Sequence, residues 1–200
     1  MIKAIFMDLG KVLIDFDLDV AVRGLENATT WPLSDIKLFL SGELIRDYEL
    51  GRISTPDFYR VFCEKLGIVI PVEEFRELWS KMFLAEPLLS EPFLQSLRRN
   101  YPLHLLSNTN ELHYEFVRDR YPILKLFEKR ILSYQVGRMK PQPEIYQLAV
   151  DQSGVRAEEI FFADDRPENV EAALRLGIQA VRFLNETQLR QDMERMGVVI

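Results

Sequence analysis

Residues 3–13 read KAIFMDLGKVL, in which a short, mostly apolar run, residues 3–7, stops abruptly at Asp8. Its length and its polar stop are those of a buried strand entering a loop. Four more short apolar runs, at residues 103–106, 130–133, 160–163 and 179–183, are separated from one another by helix-like stretches. Parallel strands need crossover connections and are buried on both faces, so this alternation predicts an α/β protein with a doubly wound parallel sheet. The gap between the first two runs breaks the pattern. From about residue 15 to residue 86 the sequence carries amphipathic helical signals and no convincing strand. Residues 56–66 show this well: Ser54 or Thr55 can cap, Pro56 suits the first turn, and Gly67 ends the helix. The expected organisation is a core formed by residues 1–14 and 87–200, with residues 15–86 inserted after the first strand as a helical cap.

The composition limits the function classes. With 200 residues, 48% of them hydrophobic, the chain is long enough for a full core and a modest insertion. A formal net charge of −6 and the absence of any Lys/Arg run argue against nucleic acid or an anionic membrane as partner. Cys63 is the single cysteine, which excludes an internal disulfide and a cysteine-rich zinc site and fits a reducing compartment. No apolar run approaches the roughly 18 residues of a membrane span. A cytoplasmic protein is expected.

Polar residues stand just past the ends of the apolar runs: Asp8 after the first, Ser107 and Asn108 after the second, Lys140 beyond the third, Asp164 and Asp165 after the fourth. In an open α/β sheet the carboxyl ends of the strands form the binding edge, so these groups converge in one crevice. Taken singly, each has an ordinary explanation as a helix cap, a turn residue or a solvated charge. Their joint order is what carries weight. Three carboxylates in one crevice repel one another unless a hard divalent cation such as Mg2+ neutralises them. Lys140 adds a fixed positive charge, and the Ser107 hydroxyl with the amides of residues 107–109 can donate to a tetrahedral dianion. Such a site suits a phosphoryl group, with Asp8 attacking phosphorus to form an aspartyl phosphate that water then hydrolyses.

Four stretches, IFMDLGKVL (residues 5–13), LLSNTN (105–110), GRMKP (137–141) and IFFADDRPENVEA (160–172), resemble in order the four motifs of the haloacid dehalogenase (HAD) superfamily. The resemblance spans the chain and implies a HAD-like Rossmannoid core with a helical cap. By position it implies Asp8 as nucleophile and metal ligand, the Gly10 carbonyl and Asp165 as further Mg2+ ligands, and Asp164 and Asn169 as supporting groups. Ser107, Asn108 and Lys140 would bind the phosphoryl group. Within the superfamily the chain is most similar to the bacterial alpha-D-glucose-1-phosphate phosphatases, which share a cap phrase like ELGRIS (49–54), and this implies a small sugar phosphate as substrate. Superfamily phosphatases usually carry a second Asp two residues after the nucleophile as general acid and base; here that position is Gly10. Losing such a group costs about 10²- to 10⁴-fold in rate unless another replaces it. Lys11, Asp15 and Asp17 are the neighbours considered as substitutes, each equally explained as a solvated charge or cap. If proton transfer limits the rate, Gly10→Asp is expected to be neutral or faster. Two alternatives stay open at this point: a catalytically weak or inactive phosphate-binding protein, and a haloacid dehalogenase-type hydrolase. Monomer and homodimer are equally compatible with the sequence.

Overall fold

The computed structural model describes residues 1–26 and 28–200. A five-stranded parallel sheet forms its centre, built from β1 (Ala4–Met7), β4 (Leu103–Ser107), β5 (Lys129–Leu132), β6 (Ile160–Asp164) and β7 (Gln179–Arg182). The order across the sheet is β5-β4-β1-β6-β7. The five expected strands are therefore present, each within one residue of its expected ends, and all neighbours pair in parallel. β1 is central, with Met7 opposite Leu105 on one side and Ala163 on the other. Because the chain first extends the sheet toward β5 and then returns to the other side of β1, Asp8 leaves the sheet where the strand order reverses. Crevices form at such a point.

Alternate residues serve opposite faces of the sheet. Ile5, Met7, Leu103, Leu105 and Phe161 pack with α6 (Glu91–Asn100), α7 (Glu111–Arg120) and α11 (Glu186–Arg195). Phe6, Leu106, Ile131 and Phe162 pack with α9 (Pro143–Ser153) and α10 (Pro167–Arg175). Both faces are covered, so the strands read as continuous apolar runs.

The segment between β1 and β4 folds largely into helices: α1 (Leu18–Glu26), α2 (Leu33–Leu40), α3 (Glu43–Glu49), α4 (Thr55–Leu66) and α5 (Val72–Ser80). They share a hydrophobic cluster of their own in which Phe58, Phe62, Phe75 and Trp79 stack edge to face or in parallel. In α4 Ser54 accepts from the Asp57 amide, Pro56 lies in the first turn, and Gly67 ends the helix at φ 64°. One expectation fails here. β2 (Ile14–Phe16) and β3 (Phe83–Pro87) pair antiparallel as a two-stranded ribbon at the base of the helices. Three residues are too few to show alternation, and the Ala-Glu-Pro ending of β3 lacks the β-branched signal of a strand. The ribbon is held by its position next to the sheet, with Leu88 N–H donating to the Leu13 carbonyl. A short turn, α8 (Ser133–Val136), follows β5 and meets α3.

Candidate active site

β1 delivers Asp8 to the edge of the sheet, its amide donating to the Ala163 carbonyl at 2.9 Å. The chain then doubles back: the Leu13 and Ile14 amides both donate to the Leu9 carbonyl, and Lys11 sits at φ 59°. This turn lays the Phe16 ring against Gly10, so that a Cβ at position 10 would stand 2.8 Å from the ring. β6 delivers Asp164 and Asp165 beside Asp8. One carboxylate oxygen of each lies within 4.8 Å of the others, the arrangement of a cation site.

Lys140 is driven into this cluster, with Nζ 2.9 Å from Asp8 Oδ1 and 2.6 Å from Asp164 Oδ2. It is held there by its own backbone. The Asn108 side chain accepts from the Lys140 amide and donates to the Lys140 carbonyl, both at 2.8 Å. Asn108 therefore positions the loop that carries Lys140, with one of its two side-chain amide hydrogens used on that carbonyl. The Thr109 backbone amide is spent, donating to Ser133 Oγ at 2.9 Å. Ser107 is buried and makes only a 3.4 Å contact to the Asn108 carbonyl, so its hydroxyl is a donor still to be used. Asn169 donates to both Asp164 oxygens, at 2.9 and 3.1 Å, and thereby fixes Asp164 between itself and Lys140. Arg166 adds its backbone amide to Asp164 and pairs its side chain with Glu168.

The electrostatics follow from burial. The Asp8 carboxyl is raised to about 7, chiefly by desolvation and further by Asp164, against the opposing pull of Lys140. Asp165 is raised by burial and by Asp164. Burial acts against the Lys140 ammonium, but Asp8 and Asp164 more than offset it and its pKa is raised. Three carboxylates share one ammonium, so the cluster holds excess negative charge in a poorly solvated place. Oxygen donors with that excess match a hard divalent cation.

Two adjacent spaces share Gly10, Phe16, Glu49 and Asn108 as walls. One, of about 420 Å3, contains Asp8, Lys140, Asp165 and Asn169. The other, of about 220 Å3, runs beneath the helices and is lined by Leu18, Ala21, Leu40, Ile45, Trp79 and Phe83 among others. Phe16 walls both, a role that nothing in its sequence context signalled. Of the residues considered as substitute acids, Lys11 and Asp15 pair with each other at 2.5 Å and Asp17 caps the Asp19 amide. His104 is buried in β4, its ring tilted against Phe6, and accepts from the Lys129 amide. His113 bonds Asn110 and the Trp79 carbonyl. Tyr48 is buried between Thr55 and the Leu112 amide, away from both spaces. Cys63 packs on the inner side of α4.

The family model for haloacid dehalogenase-like hydrolases matches residues 2–177. The chain belongs to this family. A HAD relative, the D-ribitol-5-phosphate phosphatase of Bacteroides thetaiotaomicron, is 30% identical over 96% of this chain and 97% of its own length. It is a polyol phosphatase, where the motif resemblance pointed to glucose 1-phosphate. A sesquiterpene phosphatase of Aspergillus oryzae is 26% identical over 97% of this chain and 96% of its own. Among solved HAD structures, a B. thetaiotaomicron enzyme in complex with magnesium and inorganic phosphate superposes with a TM-score of 0.84 at 28% identity, covering 93% of this chain and 96% of that one. No helix among the described residues is long and apolar enough to cross a membrane.

Proposed function

We propose that the protein is a Mg2+-dependent phosphomonoester hydrolase acting on a small phosphorylated metabolite through an aspartyl phosphate on Asp8. The observation that carries this reading is the convergence of Asp8, Asp164 and Asp165 around a buried Lys140 at the switch point of the sheet. Asp8, Asp165 and the Gly10 carbonyl would hold Mg2+, which supplies charge neutralisation for the approach of a carboxylate to a dianion. Lys140 favours the ionised form of Asp8 and holds it in place, and the Ser107 hydroxyl offers a hydrogen bond to the transferring group. The helices of residues 15–86 act as the cap that reads the leaving group. A sugar or polyol phosphate is supported by the ribitol-phosphate relative. A second reading, a phosphate ester with an apolar leaving group, is supported by the aliphatic and aromatic walls of the inner space and by the sesquiterpene phosphatase relative.

Phosphate release from a panel that includes ribitol 5-phosphate, glucose 1-phosphate, a prenyl phosphate and an activated aryl phosphate tests both readings. We expect Mg2+-dependent release that vanishes in Asp8→Asn with the fold intact. Turnover that survives full chelation contradicts the metal requirement. Folded protein that binds phosphate or Mg2+ and releases nothing makes it a binding protein.

A further inference from the structure

The core offers no side chain at Gly10 to protonate a leaving group, and Phe16 fills the space that such a side chain would occupy. The structure places one carboxyl elsewhere on the same walls. Glu49 is the last residue of α3 and lines both spaces, facing the one that holds Asp8 and Lys140 as well as the one beneath the helices. It is thus located where an ester oxygen passes from the phosphoryl site into the leaving-group space. Among the described residues, no hydrogen bond holds its carboxyl, and Arg166 is the one charge that acts on it. Of the other ionisable groups on these walls, Lys11 pairs with Asp15, Arg166 with Glu168, and His113 with Asn110 and Trp79, while Arg46, one turn before Glu49 on α3, and Asp165 face the space that holds Asp8.

We infer that Glu49 is the acid and base that the core lacks. Resting on the phosphatase reading above, the chemistry balances as follows. An Asp8 oxygen attacks phosphorus, the ester P–O bond breaks, and the departing oxygen takes the proton of the Glu49 carboxyl. The resulting Glu49 carboxylate then takes a proton from the water that attacks the aspartyl phosphate. The Asp8–phosphorus bond breaks, inorganic phosphate leaves, and Glu49 is again protonated. Burial raises the Glu49 carboxyl to about 7, with Arg166 drawing it back, which suits a group that both gives and accepts a proton near neutrality.

The test compares leaving groups in rapid-mixing experiments on the Mg2+-loaded full chain, wild type beside Glu49→Gln and Glu49→Asp. For each alkyl phosphate the wild type turns over, with ribitol 5-phosphate tried first, Glu49→Gln should lower the rate of alcohol release by about 10²- to 10⁴-fold. With 2,4-dinitrophenyl phosphate, whose leaving group needs no proton, the first equivalent of phenol should slow by less than tenfold while later turnovers slow strongly. Glu49→Asp should recover part of the alkyl activity. An equal loss on both ester types, or an alkyl rate within threefold of wild type, overturns the assignment while the phosphatase reading stands. Wild type that releases phosphate from no ester overturns both.

Discussion

Gly10 shows how one missing side chain constrains its surroundings. If proton transfer limits the rate, restoring Asp there should be neutral or faster. The structure sets a cost against that gain, because the new Cβ would meet the Phe16 ring at 2.8 Å and its carboxylate would join three others already short of counter-charge. Overpacking of this kind costs about 1–3 kcal/mol. We expect Gly10→Asp to lower the unfolding free energy measured by denaturant titration by that amount and to reduce turnover. Adding Phe16→Ala should restore part of the stability, since the ring is what the new side chain strikes. A double variant no more stable than Gly10→Asp alone would remove Phe16 as the cause. Around this position the site was partly legible in advance. Asp8, Ser107, Asn108, Lys140, Asp164, Asp165 and Asn169 were marked by their places after strands or in motifs, and the fold gathers them at one edge. That Asn108 clasps the Lys140 backbone, and that Phe16 walls the crevice, depends on contacts between distant segments that no local pattern encodes.

At the scale of elements, α3 is aimed by the residue just beyond its end. Gly51 lies at φ 65°, and a Cβ there would stand 2.0 Å from the Tyr134 carbonyl oxygen in α8. Only a glycine lets the end of α3 rest on α8 this closely. Gly51→Ala must therefore lift α3 from α8 and carry Glu49 with it, and a displacement of about 1 Å can cost about 10²-fold in rate. We expect turnover to fall to that degree, with destabilisation of about 1–3 kcal/mol from the strained backbone and contact; a variant with wild-type kinetics would show that α3 needs no such seat. The five sheet strands were readable because burial on both faces makes each a continuous apolar run, and α4 because its cap, proline and terminal glycine are local signals. The ribbon of β2 and β3 was not. Its strands are three and five residues long and are stabilised by each other and by the adjoining sheet, which leaves little imprint on composition.

For the whole molecule, the helical layer meets the sheet core along a seam on α7. Tyr48 accepts from the Leu112 amide, Thr55 donates to Glu111, and His113 joins Asn110 to the Trp79 carbonyl. The hydrogen bonds at His113 are consistent with one neutral tautomer. The Asn110 oxygen accepts from the His113 amide, so its amide group donates to Nδ1, and Nε2–H donates to the Trp79 carbonyl. A second ring proton would point Nδ1–H at the Asn110 amide hydrogens. Burial accordingly lowers the His113 pKa from 6.5 to about 4, against a small opposing effect of the Trp79 carbonyl. Below pH 6.5 the unfolded chain takes up a proton that the folded chain refuses until about pH 4. Stability is therefore complete above pH 6.5 and falls as pH drops from there to 4, by a total on the order of 3 kcal/mol. His113→Gln carries no such proton. Urea midpoints for wild type and variant, measured from pH 7.5 to 4, should differ progressively less in favour of wild type as pH falls. Parallel curves would place the acid sensitivity of this seam elsewhere, in the carboxylates that His113→Gln leaves in place.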